Sequence, residues 1–124
     1  MIPGQKENHP TFRRSFLFAA QGFRTAVRTE RNIKVMLAGG ALAITLGVAC
    51  GVDLLGWATI VVCCGAVISA ELLNTAIETV VDLVSPEFHP LAGRAKDIAA
   101  AAVWVLSIAA AVVGALVYAR ALLG

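Results

Sequence analysis

Three carboxylates and an amide, Glu71, Asn74, Glu78 and Asp82, punctuate a largely apolar stretch, Glu71-Leu-Leu-Asn-Thr-Ala-Ile-Glu-Thr-Val-Val-Asp82. On a helix with Glu71 at zero, Asn74 falls at about −60°, Glu78 at about −20° and Asp82 at about +20°, one face about 80° wide. Along the axis Glu78 lies about 10 Å from Glu71 and Asp82 about 16 Å, too far for a dyad sharing one proton. Carboxylates so spaced are suited to separate tasks. Mg²⁺ takes one or two protein carboxylates and completes its shell with water and phosphate. A nearby lysine neutralises a transferring phosphoryl group, and a separate carboxylate takes the proton of an attacking hydroxyl. The sequence has neither a G-x-x-x-x-G-K-[ST] nor a G-x-G-x-x-G loop, so any use of ATP proceeds outside the common soluble nucleotide folds.

The elements that must position this face are apolar. Of the 124 residues 59% are hydrophobic and 15% charged, a composition that disfavours disorder, a disulfide scaffold and most soluble folds. Three runs organise the chain: 35–52, 54–70 (its helical pattern continuing to about 83) and 98–119. Each approaches the roughly 20 apolar residues that a spanning helix needs, and helices are the only way three segments can span. The expectation is an all-α integral membrane domain over 1–124: a mobile tail at 1–10, an interfacial amphipathic helix at 11–29, and transmembrane helices at about 33–52, 54–83 and 96–120. Cys50, Cys63 and Cys64, without C-x-x-C spacing, read as reduced, buried thiols. No cleavable signal is visible ahead of the first apolar run.

Phe12, Phe16, Ala19, Ala20 and Phe23 recur at helical spacing, with Arg13, Arg14, Arg24 and Arg28 off that stripe. Such a helix lies in the interface with its arginines at phosphates; the alternative is a soluble helix packed on its own protein. Seven of ten Lys and Arg precede Val35, Arg94 and Lys96 form a second group, and the turn at Asp53 has no Lys or Arg. The positive-inside rule therefore predicts a cytoplasmic N-terminus and an outward C-terminus. Glu71 then lies about 25 Å into a core roughly 30 Å thick, just inside the cytoplasmic edge. An acid at that depth is costly and functional by default. Gly47-x-x-x-Gly51 and the Ala-rich third span predict close helix contacts. A net charge of +2 gives no argument for nucleic acid.

The Glu71 to Asp82 stretch, with His89-Pro-Leu-Ala-Gly-Arg-Ala-Lys-Asp97 downstream and Glu30 upstream, resembles the signature of the prokaryotic diacylglycerol kinase family, small integral-membrane lipid kinases. The likeness runs from about 11 to 119. It implies Mg²⁺-dependent transfer of phosphate from ATP to a lipid hydroxyl, diacylglycerol or undecaprenol, at the bacterial cytoplasmic (inner) membrane. By resemblance Glu71 is the general base, and Asn74 and Arg24 help to hold the lipid substrate. Glu30 and Glu78 match the Mg-ATP carboxylates, Lys96 a phosphate-contacting lysine, and Asp97 its neighbour in the nucleotide site. Glu87, Phe88 and His89 match the loop bordering the nucleotide. Phe18 stands where some members carry a tyrosine near the nucleotide, and Arg13 and Arg14 stand near an arginine of other members. Residues 30–34 and His89-Pro90 resemble more closely the members that phosphorylate undecaprenol. The family also implies a homotrimer with shared active sites.

Two other classes fit the polar face alone. A proton- or cation-coupled transporter would use Glu71 as an intramembrane ion site, although such acids are expected near the midplane. A non-catalytic helical subunit would use the acids to pair with a partner.

Overall fold

The computed structural model describes residues 11–124, so the expected tail at 1–10 lies outside the described residues. Four helices follow in order: α1 Phe12–Thr29, α2 Arg31–Cys50, α3 Leu54–Val84 and α4 Pro90–Leu123, with no strand among the described residues. The all-α membrane architecture is thus the observed one. Three helices, α2, α3 and α4, are long and apolar enough to cross a bilayer.

Local chemistry sets each boundary. Thr11 caps α1, its Oγ1 accepting from the Arg14 amide at 3.3 Å. Glu30 then turns extended and separates α1 from α2. Gly51 ends α2 at φ 69°, a left-handed conformation that only glycine adopts without steric cost. Asp53 starts α3, its Oδ1 accepting from the Gly56 amide at 2.8 Å. Helix α4 begins at Pro90, earlier than the apolar run implies. Proline suits the first helical position, and the His89 ring caps the helix through Nδ1, which accepts from the Leu91 amide at 3.1 Å.

Helix α3 is the centre, packed along α4 and against α2, with α1 laid across the start of α2. Few apolar side chains are buried: Ala26, Ile33, Val52, Ile60, Ala99 and Val103. Large ones such as Val62, Trp104 and Leu116 stand outward, each about two-thirds exposed or more. In water such faces would drive association; in lipid they meet their solvent, and close packing of small residues holds the helices instead. Gly47 is that contact. A Cβ there would come within 2.8 Å of the Trp57 ring. Gly51 packs against nothing and serves only to end α2, so the paired-glycine expectation divides into one contact and one terminator. The cysteines are free but half-buried rather than buried, because a single layer of three helices leaves each with an open side.

At 1.5 Å per residue, the 31 residues of α3 and 34 of α4 run to about 46 and 51 Å, well beyond a core of about 30 Å. The C-terminal part of α3 and the first turns of α4 are joined by the short loop 85–89, so their surplus length lies together. The acidic face sits on this overhang.

Candidate functional site

Glu71 and Asn74 are the buried polar side chains among the described residues, 2% and 6% exposed. They lie one turn apart on α3. Asn74 Nδ2 donates to Glu78 Oε1 at 3.2 Å, one further turn along. The i, i+3 and i+4 spacing read from the sequence therefore produces a connected row. Glu71 is also within hydrogen-bonding reach of Asn32 in the first turn of α2, and the Glu30 and Glu78 carboxylates act on it through space. Three segments thus converge on Glu71: the α1–α2 link, the start of α2, and α3.

Two details separate these groups from ordinary helix furniture. Glu30 occupies the N-cap position of α2 but makes no side-chain capping bond, so its carboxylate is left for another partner. Asn74 Oδ1 is buried without a hydrogen-bond partner, a situation that costs about 1–3 kcal/mol.

Lys96 joins from α4. Its Nζ donates to Asp82 Oδ1, and the Glu78 charge also acts on it. The pair is open to solvent, with side chains 39% and 65% exposed for Lys96 and Asp82.

The structure does not bring Asp97, Glu87, His89, Phe18 or Arg24 into a direct bond with this row among the described contacts. Asp97, the next residue after Lys96, turns about 100° away and lines an open cleft of about 510 Å³ with Phe88, Gly93 and Arg94. Glu87 and His89 are exposed in the loop. That loop is shaped by the His89 cap and by the Ser85 hydroxyl donating to the Glu87 carbonyl at 2.9 Å. Phe18 is half-buried under the Arg14 guanidinium, 5.9 Å from ring centre. Arg24 is exposed on α1. Asn32 is the residue that sequence reasoning missed. Its signal, an amide two positions after Glu30, acquires meaning only once α2 is laid against α3.

The profile of one family, prokaryotic diacylglycerol kinase, matches residues 17–118. Among named relatives, the undecaprenol kinase of Bacillus subtilis (strain 168) is 38% identical over 107 residues, covering 86% of this chain and 87% of that protein. The diacylglycerol kinase of Synechocystis sp. is 40% identical over 101 residues, 81% of this chain but 58% of its own longer length. That of Escherichia coli (strain K12) is 33% identical over 95 residues, 77% of this chain and 78% of that one. The match spans every element that carries the row around Glu71, and it extends along most of the chain. The chain therefore belongs to the prokaryotic diacylglycerol kinase family and is a membrane lipid kinase.

Proposed function

We propose that this chain moves the γ-phosphoryl group of ATP to the hydroxyl of a membrane lipid at the cytoplasmic surface, with undecaprenol as acceptor. The observation that carries the reading is the buried Glu71, with the buried Asn74 one turn along and the Glu30 and Glu78 carboxylates acting on it through space. The acceptor is favoured by the Bacillus subtilis relative, an undecaprenol kinase matched along 87% of its length. Membership of a kinase family leaves the transporter and the non-catalytic subunit with no observation of their own.

In this reading the lipid hydroxyl oxygen attacks the γ-phosphorus while the bond to the ADP oxygen breaks, and the hydroxyl proton passes to Glu71. Asn74 Oδ1 offers an acceptor that steers the hydroxyl, and Asn32 fixes the Glu71 carboxylate from the α2 side. Lys96 sets a positive charge against the phosphate oxygens. Arg24 stands on the interfacial helix at the level of the lipid headgroup. Asp97, Glu87, His89 and Phe18 complete the surroundings of the nucleotide.

Among the described residues no three His, Cys, Asp or Glu side chains cluster as a metal cage. Mg²⁺ does not need one, because a carboxylate or two plus phosphate and water suffice. The uncapped Glu30 and Glu78, whose charges both act on Glu71, fit that donor set and would hold the ion, which would neutralise charge on the phosphates.

By the positive-inside rule, the basic residues of α1 and the start of α2, together with Arg94 and Lys96, support a cytoplasmic N-terminus and active face and an outward C-terminus. The bilayer is then the bacterial inner membrane. A homotrimer with shared sites is the assembly proposed, since one chain leaves Lys96 and Asp82 open to solvent. Crosslinking in membranes would reveal a threefold ladder, and a purely monomeric pattern would overturn the assembly.

The direct test is ATP consumption by the purified protein in mixed micelles with undecaprenol, diacylglycerol or no added lipid. Turnover with undecaprenol that disappears in Glu71→Gln supports the reading. Turnover with diacylglycerol alone reassigns the acceptor. Lipid-independent hydrolysis, or full activity in Glu71→Gln, overturns the mechanism.

A further inference from the structure

We infer that Asp82 is a positioning residue for Lys96, keeping its ammonium on the nucleotide side of the acidic face and away from Glu78. The inference rests on the phosphate-contacting role proposed above for Lys96. Its starting observation is the bond from Lys96 Nζ on α4 to Asp82 Oδ1 on α3, across 14 positions of sequence.

That bond has little to do with holding the fold. Both side chains are substantially exposed, and exposed ion pairs add little to stability. Helices α3 and α4 are already joined by a short loop and packed along their length. What the bond does is restrict a flexible four-carbon stem to one place. An ammonium has three N–H donors; one is given to Asp82, and two remain for phosphate oxygens.

The neighbours give the restriction a purpose. Glu78 lies one turn before Asp82, takes the Asn74 amide, and is close enough for its charge to act on Lys96. Freed from Asp82, Lys96 has Glu78 as its next anionic partner, and a lysine bound there competes with a metal ion for the same oxygens. Asp82 thus separates two positive charges that both belong on this face: Lys96 at the phosphates and the cation at Glu78. Pairing with Lys96 also offsets the charge of Asp82, which would otherwise repel the nucleotide.

The test uses Asp82→Asn, Asp82→Glu, Lys96→Met and the Asp82→Asn/Lys96→Met double variant of the full chain, each checked for helical content by circular dichroism. Binding is read with Mg²⁺ and a non-hydrolysable ATP analogue, and turnover with ATP and lipid varied separately. Asp82→Asn should weaken analogue binding and raise KM for ATP by about three- to tenfold, as expected for loss of one charge-assisted bond. It should also raise the Mg²⁺ midpoint and leave KM for the lipid unchanged. Asp82→Glu should recover most of the loss, and Asp82→Asn should cause no further loss in the Lys96→Met background, where it removes an unpaired carboxylate that repels the nucleotide. Additive losses, equal shifts in both KM values, or no recovery with glutamate would overturn the inference. Unchanged analogue binding in Lys96→Met would overturn the phosphate role of Lys96 first. A loss in Lys96→Met with none in Asp82→Asn would overturn the positioning role alone.

Discussion

At the Asp53 end of the bundle the acid is committed locally, one carboxylate oxygen capping its own helix and the other facing a cation on α4. Oδ1 caps α3 at the Gly56 amide, and Oδ2 lies 3.8 Å from the Arg120 guanidinium near the end of α4. Gly47 lets the Trp57 ring close against α2 there, and Gly51 ends the helix with the one positive φ among the described residues. At the Glu71 end the same kinds of residue are left with capacity. Glu30 stands at a cap position without capping, Asn74 keeps a buried oxygen without a partner, and Glu71 is buried among other acids. Asp53 has its partners at one end, whereas Glu30 and Asn74 keep acceptor capacity at the other; away from both, the buried Ser107 hydroxyl also lacks a partner. The residue types alone do not distinguish the two ends, but their hydrogen-bond accounts do.

Substitutions can break that contrast in either direction. The largest effect is expected from Glu71→Gln, which keeps shape and removes the proton acceptor: turnover should fall by about 10²–10⁴-fold, with helical content unchanged by circular dichroism. Next comes Gly47→Ala at the opposite end. Its methyl would meet the Trp57 ring, and overpacking of this kind costs about 1–3 kcal/mol. Unfolding in mixed detergent should register that loss while turnover per folded molecule stays at the parent value. Glu78→Gln should raise the Mg²⁺ midpoint by about tenfold, equivalent to about 1.4 kcal/mol of binding, without altering KM for the lipid. An unchanged midpoint would remove Glu78 from the metal site. The smallest changes belong to the brace: Asp53→Ala should cost about 1 kcal/mol through the lost cap, and Arg120→Ala should change neither stability nor turnover measurably. A loss of turnover in either would mean that the two ends are not independent.

Much of this arrangement was legible in the sequence because it depends on one helix at a time. The spacing of Glu71, Asn74 and Glu78 fixes a common face whatever surrounds it, and the apolar runs fix which segments can span. The turn at Asp53 is a local boundary signal of the same kind. What depends on two helices was less legible. Asn32 reaches Glu71 only through the packing of α2 on α3. The order of residues does not choose a partner for Asp82; the packing of α3 on α4 selects Lys96. The apparent glycine pair at Gly47 and Gly51 divides because one residue lies inside α2 and the other just past its end. His89 adds a cap to α4 that no apolar periodicity could announce, since it depends on where Pro90 starts the helix.

The surplus length of α3 and α4 has a consequence for how the enzyme meets its substrate. A site on an overhang beside the headgroup layer draws one reactant from a solution and the other from a sheet. The lipid arrives by lateral diffusion in two dimensions, and its hydroxyl stays at the surface throughout. Its effective concentration is therefore its mole fraction among membrane lipids, not its amount per volume. Diluting the acceptor with inert lipid should slow the enzyme, whereas diluting the membranes at a fixed lipid ratio and a fixed ATP and Mg²⁺ concentration should leave the rate per enzyme unchanged.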